Sequence, residues 1–240
     1  GSIGLVLFGA RQFWLQRANI ALLDLRTFRA PTFSFSIVMI AISMLTMFGT
    51  IILLPLYTQN VLGLSVLDTG LLLLPGGLLM GMLAPFVGRL YDRFGPIPLV
   101  VPGAIIVSGV MWSFTFLGEY TSFWWVLAGH VSLSFGFALL FTPLFTAGLA
   151  ALKPDLYSHG SAIVSAIQQV GGAVGTALFI SVITAGASTL LTGGASLPAA
   201  FAAGIHSAFI YGAAISLLGI PVAFFIRKPA HATNEFTSVH

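Results

Sequence analysis

Six long apolar runs constrain this chain more than any other feature of its sequence. In a bilayer every backbone N–H and C=O must be bonded within its own segment, so runs of this kind predict helices. Crossing ~30 Å of hydrocarbon takes about 20 helical residues, and each run has about that length or more. The runs cover residues 33–57, 69–87, 97–117, 123–150, 159–191 and 205–226. The sequence therefore predicts an all-α membrane protein with six transmembrane helices.

Composition excludes the common soluble classes and most site chemistries. Only 6% of the residues are charged while 58% are hydrophobic, so no polar shell is available for a soluble domain. The chain has no cysteine, and its five histidines lack ligand spacing, so we expect no metal site and no cofactor. The net charge of +3 is explained by where the basic residues fall, and we expect no nucleic-acid partner.

The basic residues predict the orientation of the helices. All nine lie before the first run, between the second and third, between the fourth and fifth, or after the sixth: Arg11, Arg17, Arg26, Arg29, Arg89, Arg93, Lys153, Arg227 and Lys228. By the positive-inside rule both termini are then cytoplasmic. The second three helices start on the opposite side from the first three, which predicts one half-bundle with an inverted 3+3 repeat.

Three regions follow from this topology. Residues 1–31 are expected to hold the end of a preceding helix and an amphipathic cytoplasmic linker, because arginines alternate there with large apolar side chains. Residues 32–228 form the six-helix bundle, and residues 229–240 form a flexible cytoplasmic tail. The chain begins with Gly-Ser and without Met, so we expect it to be a piece of a larger protein.

A dense charged segment joins the second and third runs. Gly88 and Gly95 enclose Arg89, Asp92 and Arg93, which predicts a tight turn whose charges bond to each other or to a neighbouring helix end. The pattern G-x-L-x-D-R-x-G resembles the loop signature of the major facilitator superfamily of secondary transporters. The resemblance implies that this loop controls the alternation between inward-open and outward-open states.

Other stretches narrow the resemblance to the C-terminal half of the fourteen-helix drug:proton antiporter branch. They are residues 22–29, 54–57, 63–65, 70–76, 160–162 and 169–177. This implies a proton-coupled multidrug efflux transporter of the inner (plasma) membrane of a bacterium, working by alternating access. Its partners would be a missing N-terminal half, a hydrophobic or cationic drug-like substrate, protons and membrane lipid. Pro96 departs from the family, which often has a basic residue after the second loop glycine.

Few polar side chains lie inside the runs, and they are the candidates for a substrate or proton pathway. Ser43, Thr46 and Thr50, together with Ser36, are spaced to share one helical face. His130 and Gln169 reach a similar depth on two other helices, His130 alternatively being a neutral side chain bonded to Ser134. We expect the small-xxx-small pairs to be helix-packing sites: Gly77 with Gly81, and Gly171 with Gly175.

Three further expectations remain. The polar stripe of the first run, with His130 and Gln169, would be poorly satisfied against lipid. This predicts that the isolated bundle forms a homodimer through the first, second, fourth or fifth helix. Asp68 is expected to cap the second helix rather than to carry protons. Two other protein classes stay open: an intramembrane serine protease using Ser188 and His206, and a channel-like or sensory membrane module, although no filter or charged ring is present.

Overall fold

The computed structural model describes residues 11, 24–118, 120–194 and 197–228, and in this part of the chain it contains helices and no β-strand. Six helices are long and apolar enough to cross a membrane, which confirms the number and order of the predicted spans. The last of them begins at Leu197, eight residues before its predicted start. They are α1 (Pro31–Asn60), α2 (Val66–Phe94), α3 (Ile97–Phe114), α4 (Phe123–Ala150), α5 (Tyr157–Thr192) and α6 (Leu197–Leu217). A short helix α7 (Gly219–Ala223) follows α6, and 3₁₀ turns at Leu25–Arg29 and Pro154–Leu156 precede α1 and α5.

Local sequence signals set where the helices begin. Pro31 occupies the first turn of α1, where its missing N–H costs nothing. At the start of α2 the Ser65 hydroxyl accepts from the Asp68 N–H at 3.1 Å and donates to the Asp68 carboxylate at 2.7 Å. Ser65 is therefore the cap and Asp68 its reciprocal partner three residues on, so the prediction that Asp68 is itself the N-cap is wrong.

The six helices pack as two interlocked triplets. Helices α1 and α4 contact each other at the centre, α2 packs mainly against α4, and α5 packs against α1. If α1, α2 and α3 are exchanged with α4, α5 and α6 in that order, the α2–α4 contact becomes the α5–α1 contact. The predicted inverted repeat requires this correspondence. Helices α2 and α5 are the least buried of the six, since each has one narrow packed stripe.

Close glycine contacts hold α5 against its neighbours, as predicted for one of the two pairs. A Cβ at Gly175 would lie 2.9 Å from the Leu45 carbonyl oxygen, and one at Gly171 would lie 3.0 Å from Met44 Cβ. A Cβ at Gly77 or Gly81 would meet nothing within 4 Å, so these two do not pack within this bundle, and their packing against another helix stays a prediction. The spacing in the sequence identifies a pair of small residues, but it does not show whether their side of the helix faces the bundle.

The predicted linker and tail lie largely outside the described residues, as does the expected end of a preceding helix. From Asp24 onward the linker is ordered against α1. The buried Asp24 carboxylate accepts from the Arg26 backbone N–H at 2.8 Å and pairs with the Arg26 guanidinium at 2.5 Å. This hydrogen bonding, together with the more weakly acting Asp155, raises the pKa of Arg26 above its ordinary value.

Candidate functional site

The charged segment forms the end of α2 and not the tight turn that its glycines predict. Helix α2 continues to Phe94, so Gly88 lies inside it. Gly95 alone leaves the helix, with φ of 78°, while its N–H donates to the Tyr91 carbonyl at 2.8 Å. One glycine in a helix costs only about 1 kcal/mol, which the remaining helical bonds offset, whereas the positive φ at the exit favours glycine strongly.

The charges of this segment point away from the bundle. Each arginine lies over a neighbouring ring, with Arg89 5.8 Å from the Phe86 centroid and Arg93 5.1 Å from that of Phe94. In the part of the chain that the structure describes, no ion pair joins Asp92 to either arginine. The expected bonding within the segment is therefore not formed, and these side chains remain exposed.

A backbone contact fixes the segment instead. The Lys228 ammonium donates to the Asp92 carbonyl oxygen at 3.1 Å, and the Lys228 stem lies 3.8 Å from the position of a Gly95 Cβ. The end of α2 is thus held to the chain that follows α7. Phe225, just before Lys228, stacks on Phe35 near the start of α1, and Arg26, Arg29 and Lys153 line one cavity beside that start. These basic residues therefore lie on one side, which we call the basic end of the bundle.

The polar stripe of α1 lies on one face, as predicted, but that face is interior. Ser36, Ser43, Thr46 and Thr50 are all buried, with at most 4% of any of them exposed. Thr46 donates to the Ile42 carbonyl at 2.9 Å and Thr50 to the Thr46 carbonyl at 2.8 Å. The expectation that these threonines are poorly satisfied is therefore wrong, because their own helix accepts the bonds.

The two serines of the stripe differ from the threonines. The hydroxyls of Ser36 and Ser43 are buried and have no hydrogen-bond partner among the described residues. Ser36 lies against α4, where its Cβ is 3.0 Å from the position of a Gly148 Cβ. The small side chain of Ser36 lets the start of α1 and the end of α4 approach closely.

His130 joins α4 to α2 through a backbone carbonyl. Its Nε2 lies 3.1 Å from the Leu73 carbonyl oxygen, so the predicted alternative of a bond to Ser134 is replaced by one to another helix. The ring rests on Gly76: a Cβ there would be 2.6 Å from Nε2 and 2.5 Å from the Ser134 hydroxyl oxygen. Nδ1 is buried and has no partner among the described residues.

Sequence reasoning missed Gly76 and the Leu73 carbonyl. The one usable signal was Gly76 itself, because a glycine leaves room for a ring beside the backbone. The sequence does not show which histidine fills that room. Only the packing of α4 on α2 identifies His130.

Gln169 lies apart from His130. It is exposed on α5, and no hydrogen bond links the two side chains within the described ranges. It belongs to an exposed stripe with small or polar side chains at four-residue intervals. The members are Ser161, Ser165, Gln169, Ala173, Ala177, Ser181 and Ala185. On α2 the open face includes Gly77, Gly81 and large apolar side chains such as Leu78 and Met82.

Comparison with known proteins identifies the family to which this six-helix bundle belongs. The sequence profile described as Major Facilitator Superfamily matches residues 6–176, which is more than half of the chain. The chain belongs to the major facilitator superfamily. It is thus a multi-pass protein of the inner (plasma) membrane in a family of bacterial transporters, which leaves the protease alternative without support.

Resistance proteins are among the similar members of the superfamily. The chain is 38% identical to the lincomycin resistance protein LmrB of Listeria monocytogenes over 95% of the chain and 49% of that protein. It is 34% identical to LmrB of Bacillus subtilis over 95% of the chain and 48% of that protein. A multidrug resistance protein B homolog of Mycobacterium tuberculosis is 30% identical over 70% of the chain and 32% of that protein. The chain therefore spans about half the length of the LmrB relatives.

Proposed function

We propose that this chain is one six-helix half of a proton-coupled drug exporter that works by alternating access. The observation that carries the proposal is the match to lincomycin resistance proteins along 95% of the chain but only half of their length. A single bundle with open faces on α2 and α5 is consistent with one wall of a central cavity and with the role of one rocking body.

Drug-like hydrophobic or cationic molecules are the proposed substrates, with lincosamides the first to test. The set of proposed pathway residues becomes smaller, because Ser43, Thr46 and Thr50 are buried within the bundle and cannot contact a substrate. Gln169 remains as an exposed polar group. His130 remains as an intramembrane ionisable group, one of whose nitrogens has no partner in the described part of the chain.

The segment at the end of α2 is the proposed conformational control. Its two arginines and Asp92 are exposed and unpaired with each other, so they are free to pair with a second bundle in one of the two end states. Lys228 holds the backbone beneath them, which keeps the segment in place while its charged side chains exchange partners.

A transplant experiment tests the half-transporter proposal. The matching half of LmrB from Listeria monocytogenes is replaced by this chain, and lincomycin tolerance is measured in a sensitive host, with the chain alone as control. We expect tolerance from the fusion and none from the chain alone. A fusion that inserts fully but confers no tolerance would contradict the proposal.

A vesicle assay gives an independent test. The chain is reconstituted alone, a pH gradient is imposed, and movement of a cationic dye is followed. One bundle supplies only part of a cavity, so we expect no uphill movement. Saturable, gradient-driven transport by the chain alone would overturn the half-transporter proposal.

A further inference from the structure

A cavity at the basic end of the bundle has no place in the proposed transport route. Its volume is about 740 Å³, and it lies where the 3₁₀ turn before α1 meets the connection between α4 and α5. Its charged lining consists of Arg26, Arg29, Lys153 and Asp155. Three cations thus face one carboxylate.

We propose that this cavity binds the headgroup of an anionic phospholipid of the phosphatidylglycerol type. This site goes beyond the proposed export function, since it concerns anchoring in the membrane rather than substrate. Three observations support it: the depth of the cavity in the membrane, the pairing of its charges, and the presence of a carboxylate among the cations.

The depth follows from helix length. Helix α1 has 30 residues and α5 has 36. At 1.5 Å per residue these helices are about 45 Å and 54 Å long, which exceeds the ~30 Å hydrocarbon core and reaches the headgroup layers. The cavity sits where α1 and α5 begin and α4 ends, which is the level of lipid phosphates. Phe28 and Tyr157, next to the lining in sequence, are 42% and 52% exposed, as is typical of side chains at the membrane interface.

The charge pairing favours one bound anion. Arg26 is already bonded to Asp24 and therefore contributes less to a ligand. Arg29 and Lys153 are exposed, and among the described residues neither is paired with a carboxylate. A guanidinium and an ammonium facing one cavity suit a phosphate group, the guanidinium through two parallel N–H bonds. Basic pockets at this level of a membrane protein bind lipid headgroups.

Asp155 determines the kind of phosphate. A carboxylate in the lining repels the second charge of a phosphate monoester, but it accepts hydrogen bonds from hydroxyl groups. A phosphodiester with free hydroxyls beside it satisfies both signs of charge, and phosphatidylglycerol has that headgroup. Phosphatidic acid lacks the hydroxyls, and phosphatidylcholine places a cation beside Arg29 and Lys153. The volume is also within the range of about 300–1,000 Å³ that is usual for small-molecule sites.

Lipid retention in detergent tests the proposal. The chain is purified in a neutral detergent, and binding of labelled phosphatidylglycerol, phosphatidic acid and phosphatidylcholine is measured by native mass spectrometry. We expect phosphatidylglycerol to bind most tightly. The double variant Arg29→Gln with Lys153→Gln should weaken it roughly tenfold or more, since each cation near a lipid surface contributes about 1 kcal/mol.

Matched variants separate a built site from general surface charge. Arg89→Gln with Arg227→Gln removes the same charge from the same end, and because neither side chain lines the cavity it should leave binding within about twofold. Asp155→Asn should reduce the preference for phosphatidylglycerol over phosphatidic acid while retaining phosphate binding. Equal loss in both double variants, or an unchanged preference in Asp155→Asn, would overturn the proposal.

Soluble competitors identify the source of the phosphate. Glycerophosphoglycerol and inorganic phosphate are added to the lipid-bound chain. If the acyl chains contribute, displacement should need concentrations far above that of the lipid. Displacement by inorganic phosphate at equal concentration would assign the cavity to a free anion, and tighter binding of an acidic peptide than of any lipid would assign it to a protein; either result overturns the lipid site.

Discussion

At the scale of single residues, glycines decide where helices touch, and their environments differ sharply. Gly175 faces the backbone of Leu45, which cannot move aside as a flexible side chain would. Gly81 faces open space on α2. Both positions are glycines inside a helix, so they form a matched pair. Comparing them measures how much free energy of unfolding is lost when two helices can no longer approach closely.

We therefore expect Gly175→Ala to destabilise the bundle and Gly81→Ala to leave it unchanged or more stable. The new methyl at position 175 forces α5 away from α1 at a cost of about 1–3 kcal/mol, whereas at position 81 only the helix propensity changes. Unfolding followed by tryptophan fluorescence in detergent measures both. Equal effects at the two positions would contradict the described α1–α5 packing.

The second residue-scale prediction concerns the protonation of His130. The Leu73 carbonyl oxygen can only accept, so Nε2 must carry a proton. The buried Nδ1 has no partner among the residues that the structure describes, and it is less costly there without a proton. We expect the neutral Nε2–H tautomer at pH 7. Nitrogen chemical shifts of histidine-labelled protein in bilayers identify the tautomer, with exposed His206 as internal reference. A Nδ1–H tautomer would show that the bond to Leu73 is absent.

At the scale of elements, the end of α2 combines a fixed backbone with free charges. The Lys228 ammonium bonds to the Asp92 carbonyl oxygen and not to its carboxylate. Changing the side chain of Asp92 therefore leaves that contact in place. The stability of this bundle then depends on the backbone carbonyl of Asp92, whereas the inward/outward balance of two bundles depends on its carboxylate.

Asp92→Asn should accordingly leave the unfolding free energy of this chain within about 0.5 kcal/mol. In the complete transporter the same change should shift the inward/outward balance several-fold, because a partly exposed charge interaction contributes on the order of 1 kcal/mol. Distances between labels on the two halves, placed at the ends on the side of this segment, measure the shift, and Arg89→Ala should act in the same sense. Lost substrate affinity with unchanged distances would exclude a conformational role.

At the scale of the whole molecule, the unpartnered faces are on α2 and α5. Of the groups from which the dimer is predicted, the α1 stripe is interior and cannot form an interface, whereas Gln169 is exposed on α5. The open glycines of α2 and the small and polar stripe of α5 provide the close-approach surfaces that membrane helices use for association. We therefore expect self-association through α2 and α5, which are two of the four helices that the sequence indicated.

Cysteine cross-linking tests this association without background, because the chain contains no cysteine. We expect Gly77→Cys and Gln169→Cys to form disulfide-linked dimers in mild detergent. Ile105→Cys on α3 is the control and should not, although that side chain is 50% exposed. A strictly monomeric chain, or equal cross-linking through α3, would contradict association through α2 and α5.

The number, order and approximate bounds of the helices were determined by the sequence alone. Hydrocarbon leaves a backbone no alternative to internal hydrogen bonds, so length and apolarity suffice to place each span. The charged segment and its resemblance to a transporter loop also identified the family without coordinates. Properties that depend on the residue pattern along a single segment, such as a membrane span or a family signature, can be predicted in this way.

Which face of each helix is buried was decided only by the tertiary structure. The α1 stripe looks like a cavity lining in the sequence, yet its hydroxyls lie inside the bundle, and Gly76 rather than Gly77 is the glycine that packs. In water a polar face marks the surface, but in a membrane lipid and protein interior are equally apolar and hydroxyls can bond to their own helix. Hydrophobicity therefore does not separate inside from outside, and only the contacts between helices do.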